Sequence, residues 1–228
     1  MTGPGGVAAV VFDLDGVLLD SEQVWDEVRR SLAVAAGLSW PASATAAMLG
    51  MSTAEWSRYL TDVVGVPGPA DRVARTVIDR VARRYRQALP LLPGAVEAVR
   101  RLAVVWPLGL ASSSPRRLID AVLSEAGLAD AFRTTVSTEE VRAGKPDPAV
   151  YAEAVRRLRV QPRRAVAVED SSNGVRSAAA AGLAVVAFPN HQYPPSADAL
   201  ALSAATVASL DELTVDLVTS VAGRRGTG

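Results

Sequence analysis

The chain has 228 residues, 49% of them hydrophobic, and its 24 acidic and 24 basic side chains leave a formal charge of zero. Without a basic excess nucleic acid is a poor fit as a partner. With no cysteine and one histidine, His191, disulfides, thiolate nucleophiles and zinc sites built on several imidazoles or thiolates are excluded. A resident metal would be a hard cation held by oxygen, which points to Mg2+.

Residues 1–6 are short, uncharged and glycine-rich, without the basic and apolar regions of a signal peptide. The longest apolar runs are too short to cross a bilayer. A soluble, cytoplasmic protein with no membrane partner is expected.

Val7-Ala-Ala-Val-Val-Phe12 is a β-branched apolar run of strand length that stops abruptly at Asp13-Leu-Asp15-Gly16. Such runs suit a strand buried on both faces of a parallel sheet. From residue 20 to about 88 the apolar spacing becomes helical, with Trp25, Val28 and Leu32, then Trp56 and Leu60, then Val73, Val77 and Val81. No strand-like run interrupts this stretch, which reads as a small helical unit.

Beyond Leu91-Leu-Pro-Gly94, strands and helices alternate. Helices are expected over 95–104, 116–125, 147–158 and 174–181, and strands over 108–111, 134–136, 165–168 and 184–188. The alternation predicts an α/β fold, a doubly wound parallel sheet with right-handed crossovers. The expected division is a core of residues 1–19 and 89–228 with the helical unit, 20–88, inserted after the first strand.

In such sheets ligands gather at the carboxyl ends of the strands. The residues just past each expected strand are Asp13 and Asp15, then Ser112 and Ser113, then Glu169 and Asp170, while the loop after the short strand carries Gly144-Lys145-Pro146. Lys145 is the one lysine beside 23 arginines. It reads either as chance survival of a surface lysine or, with Gly144 and Pro146 around it, as a place expected to need a compact ammonium where a planar guanidinium would not fit. Taken singly, each motif also reads as something ordinary. Asp-x-Asp-Gly can be a turn, and Glu-Asp-Ser or Ser-Ser-Ser-Pro a helix start. Their joint order favours one reactive set.

Carboxylates crowded at one sheet edge repel unless a divalent cation sits among them. Asp13, Glu169 and Asp170 can supply oxygen ligands to Mg2+. Ser112 offers a hydroxyl and Lys145 a positive charge to phosphate oxygens. In an extended Asp-x-Asp pair both side chains point the same way. One can attack phosphorus while the other handles the proton of the leaving oxygen. The expected partner is a small-molecule phosphate ester.

These motifs, Asp13-Leu-Asp15-Gly16-Val17, Ser112, Lys145-Pro146 and Glu169-Asp170-Ser171, resemble the four signatures of the haloacid dehalogenase superfamily over residues 7–190. The helical insertion is similar to its small α-helical cap. Asp20-Ser-Glu22 with Trp25, Leu91-Leu-Pro-Gly94 and Leu110-Ala-Ser-Ser-Ser-Pro115 resemble the β-phosphoglucomutase-like sugar and hexitol phosphatases. The resemblance implies Asp13 as nucleophile through an aspartyl-phosphate, and Asp15 as acid/base with its backbone carbonyl on Mg2+. It further implies Ser112, Ser113 and Lys145 on phosphate and Glu169 and Asp170 on the metal, with Asn173 supporting the Asp170 loop.

Departures narrow the choice. Where the mutases carry a cap histidine and a cap arginine, the matching residues here are Trp25 and Thr53. A phosphomutase is therefore the alternative reading and a phosphatase the leading one; a non-catalytic phosphate sensor is a third. Trp25, Met51, Thr53 and Trp56, with Arg116 at the core edge, are the expected specificity residues, on a chain expected to be monomeric. His191, in a polar proline-rich stretch, is expected to be an exposed loop residue.

Overall fold

The computed structural model describes residues 6–48, 51–190 and 193–223. Residues 1–5, Leu49-Gly50 and His191 lie outside them, so the expectations placed there have no structural counterpart.

Six parallel strands form one sheet in the order β3-β2-β1-β4-β5-β6. They are β1 (Ala9–Phe12), β2 (Leu108–Ser112), β3 (Phe132–Ser137), β4 (Ala165–Glu169), β5 (Ala184–Ala187) and β6 (Ala205–Thr206). On β1, Val10 and Phe12 join one apolar cluster while Ala9 and Val11 join another on the opposite face. That two-sided burial is why the strand reads as an unbroken apolar run. On the first face lie helices α5 (Ala95–Ala103), α6 (Arg116–Glu125) and α10 (Val215–Gly223). The second is covered by α7 (Ala149–Leu158) and α8 (Ser172–Ala180).

The chain winds from β1 out to β3 and then returns to pair β4 against the other side of β1, with Phe12 opposite Val168. The winding reverses between β1 and β4, and the crevice beyond their carboxyl ends is the natural ligand position. Asp13 and Glu169 directly follow or end those two strands.

Between β1 and α5 stand helices α1 (Glu22–Ala35), α2 (Ala44–Met48), α3 (Thr53–Asp62) and α4 (Ala70–Gln87). Two chain segments join this unit to the sheet side by side. Leu19 bridges Leu91, Asp20 N donates to Pro90 O, and Leu92 N donates to Leu18 O. Helix α3 begins with a capping box in which the Glu55 carboxylate accepts from Ser52 N at 2.7 Å.

Elements after β5 go beyond the sequence expectations. These are the two-residue strand β6, the single-turn α9 (Ala197–Leu200) and α10. Arg101 on α5 ties down the segment before α10, donating to Leu210 O at 2.8 Å and to Leu213 O. No helix among the described residues is long and apolar enough to cross a membrane.

Candidate active site

Strand β1 delivers Asp13 to the crevice, and Asp13 N donates to Val168 O of β4 at 3.0 Å, which fixes its height at the sheet edge. The next turn needs Gly16. Its φ is +82°, and a β-carbon there would lie 1.9 Å from Asp170 Oδ2. The turn therefore brings backbone against the Asp170 carboxylate with no room for a side chain.

Lys145 enters from the loop after β3. Its Nζ donates to Asp13 Oδ1 at 2.8 Å and to Glu169 Oε1 at 2.6 Å, and all three side chains are buried. Glu169 is held from further sides by Tyr151 OH on α7 at 2.8 Å and by Asp170 N at 3.0 Å. Ser171 caps α8 by accepting from Gly174 N. A short polar loop at a strand end thus gains rigidity from a helix cap, a buried lysine and a tyrosine.

Burial raises the Asp13 carboxyl to about 8 against the pull of Lys145, with Glu169 adding to the rise. Burial likewise pushes Asp170 well above the usual carboxylate range, with Glu169 and Asp13 reinforcing it. For Lys145, burial alone would lower the ammonium, but Asp13 and Glu169 outweigh it and hold it above its ordinary value. Oxygen atoms of Asp13, Glu169 and Asp170 all lie within 4.8 Å of one another. Three buried carboxylates with one ammonium between them form an oxygen-only donor set short of positive charge. That set fits a hard divalent cation.

Asp15 has a partner of its own. Ser114 Oγ donates to its Oδ2 at 2.6 Å, while Oδ1 is buried without a partner. The Ser114 backbone is held in turn, its N–H donating to Ser112 Oγ at 3.0 Å and its carbonyl accepting from Ser137 Oγ at 2.7 Å.

A cavity of about 400 Å³ opens over these groups. Asp13, Asp15, Ser113, Ser114, Lys145 and Asp170 line its floor, with Asn173 beside them. Ser112 and Glu169 stand fully buried one layer behind. From the helical insertion, Trp25, Met51, Thr53 and Trp56 line the opposite wall.

Arg116 stands apart from the other four specificity candidates. It is absent from the lining, because its guanidinium is spent on Glu140, Asp120 and Thr135 beside β3. A position near a strand end did not reveal these acceptors.

Glu22 and Arg29 also line the cavity and were not singled out from the sequence, nor was Ser114 or Tyr151. The available signal was helical spacing. Glu22, Trp25 and Arg29 fall at i, i+3 and i+7, one face of α1. For Tyr151 there was none, since a tyrosine in the first turn of a core-facing helix reads as packing.

A family model described as haloacid dehalogenase-like hydrolase matches residues 7–182. The chain belongs to that family. It is 35% identical to hexitol phosphatase B of Escherichia coli K12, over 94% of this chain and 97% of that one. It is 31% identical to a phosphorylated carbohydrates phosphatase of Thermotoga maritima, over 77% and 82%. The expected enzyme class, a phosphatase within the family, agrees with these relatives. Among solved structures, β-phosphoglucomutase from Clostridium difficile superposes with a TM-score of 0.82 over 96% of this chain and 98% of that one. At 21% identity that likeness shows the fold.

Proposed function

We propose that the protein is a Mg2+-dependent phosphatase that hydrolyses a sugar or polyol phosphate through an aspartyl-phosphate on Asp13. The observation that carries this reading is Asp13 at the floor of one cavity, between the Lys145 ammonium, the Asp170 carboxylate and the Asp15 side chain. Relatives named for hexitol and carbohydrate phosphates supply the substrate class.

Asp13, Glu169 and Asp170 would hold the cation, which when bound offsets charge on the phosphoryl oxygens. An Asp13 oxygen attacks phosphorus, forming the acyl phosphate as the bond to the leaving oxygen breaks. Asp15 Oδ1, the oxygen left free by Ser114, is the proton donor to that leaving oxygen and afterwards takes the proton of the attacking water. Hydrolysis returns the Asp13 carboxylate and inorganic phosphate. Lys145 stays protonated throughout and balances charge at Asp13. Helices α1–α4 serve as a cap that closes the site off from bulk solvent while the ester is bound.

The test is phosphate release from a panel of sugar, polyol, glycolate and nucleotide monophosphates, with magnesium present or chelated. Release that chelation stops and Asp13→Asn abolishes is the expected result. No release from any ester sinks the reading.

A further inference from the structure

Arg29 is the one cation of the cavity wall that the hydrolytic chemistry leaves unused. Its side chain is 92% buried by its surroundings, being 8% exposed. Its Cζ sits 5.0 Å from the ring centroids of both Trp25 and Trp56, which pack edge-to-face against each other. The two rings fix the guanidinium in place. Its Nε is buried without a partner. Arg29 itself lines the cavity, so the outer nitrogens of its guanidinium can donate to a ligand held there.

Glu22 lines the same cavity two helical turns earlier on α1. Of the carboxylates acting on Arg29 its pull is the strongest, ahead of Asp26 and Asp15. Both line the cavity from α1, on the wall across from Lys145 and Asp170, and so meet the part of the ester that departs.

Charge decides what that part can be. Asp13, Asp15, Glu22 and Asp170 line the cavity against Lys145 and Arg29. With Lys145 committed to the phosphoryl end, a second anionic group would have only Arg29 to meet, in a cavity also lined by Asp15 and Glu22. A hydroxyl suits the pair better, since it can accept from the guanidinium and donate to the carboxylate at once.

We propose that Arg29 and Glu22 form a donor–acceptor pair that reads hydroxyls on the leaving group, selecting neutral polyhydroxy esters and rejecting esters with a second anionic group. This rests on the phosphatase reading above and specifies its substrate class.

The test compares kcat/KM for sorbitol 6-phosphate, fructose 1,6-bisphosphate and 4-nitrophenyl phosphate in the wild type, Arg29→Met and Glu22→Gln. Methionine keeps a flexible apolar stem between the two tryptophans. Arg29→Met is expected to cut the ratio of sorbitol 6-phosphate to 4-nitrophenyl phosphate on the order of 10–100-fold, because an unmade hydroxyl contact is felt only by the hydroxylated ester. Glu22→Gln, which removes a carboxylate from the wall beside Arg29, is expected to raise the ratio of bisphosphate to monophosphate about tenfold. Unchanged ratios in both variants overturn the inference and leave the phosphatase reading intact, as does a wild type that prefers the bisphosphate. If Arg29→Met does not fold, Glu22→Gln decides alone. A wild type that turns over none of the three esters removes the phosphatase reading, and this inference with it.

Discussion

Replacing Gly174 by alanine sets two physical effects of opposite sign against each other. Gly174 is the third residue of α8, where alanine would improve helix propensity by about 1 kcal/mol. A β-carbon there, however, would lie 1.9 Å from Cδ and Oε1 of Glu169 and 2.0 Å from Oε2. Ordinary contact begins near 3.5 Å, so the carboxylate must retreat by about 1.5 Å. At its present position it accepts from Lys145 Nζ at 2.6 Å, Tyr151 OH at 2.8 Å and Asp170 N at 3.0 Å. A displacement of that size takes such bonds out of range. Losing two bonds to a buried charge costs about 3–6 kcal/mol, at about 1.5–3 kcal/mol each. The net expectation is a loss of about 2–5 kcal/mol and a thermal midpoint lower by about 5–15 °C in a chain of this size. Equilibrium urea unfolding and a thermal scan on metal-free protein measure both quantities. A variant as stable as the wild type, or more stable, would refute the reasoning, because helix propensity would then have outweighed the clash.

Magnesium at about a hundred times its dissociation constant should add about 2.7 kcal/mol and raise the midpoint by about 5–10 °C. Asp170→Asn should lose most of that gain; an equal gain in the variant, or none in the wild type, argues against Asp13, Glu169 and Asp170 as the metal site. Burial, with Asp15 adding and Arg29 opposing, pushes the Glu22 carboxyl up to about 7 from an ordinary value of 4.5. The folded state then holds that proton more tightly. Its contribution is full below pH 4.5 and lost as pH rises through about 7. Metal-free wild type should therefore lose about 1–3 kcal/mol relative to Glu22→Gln between pH 5 and pH 8, read from urea midpoints. A pH-independent difference shows that Glu22 titrates alike in both states.

Much of the core was legible because its signals are local. A strand buried on both faces must be apolar at every position, so β1 announced itself, and the polar residue that ends it stood out as Asp13. Helices α1, α3 and α4 were visible as spacing, since each buries one stripe. The two-residue β6 and the single turn of α9 were not, because neither is long enough to show a period. Lys145 was marked by its rarity, and that it meets both Asp13 and Glu169 depends on a loop closing over 132 residues of chain.

The amino-acid sequence by itself determined the order of strands and helices and which chemical groups end the strands, because burial and capping act over a few residues. Tertiary structure alone decided which of those groups share a cavity. It turned Arg116 away to Glu140, set Ser112 behind Ser114, and left Asp15 Oδ1 and Arg29 Nε buried without partners. A side chain's partners are fixed by where separate elements cross, and no local pattern records that. The rise in the Asp13 carboxyl has the same origin, since desolvation comes from everything packed around it.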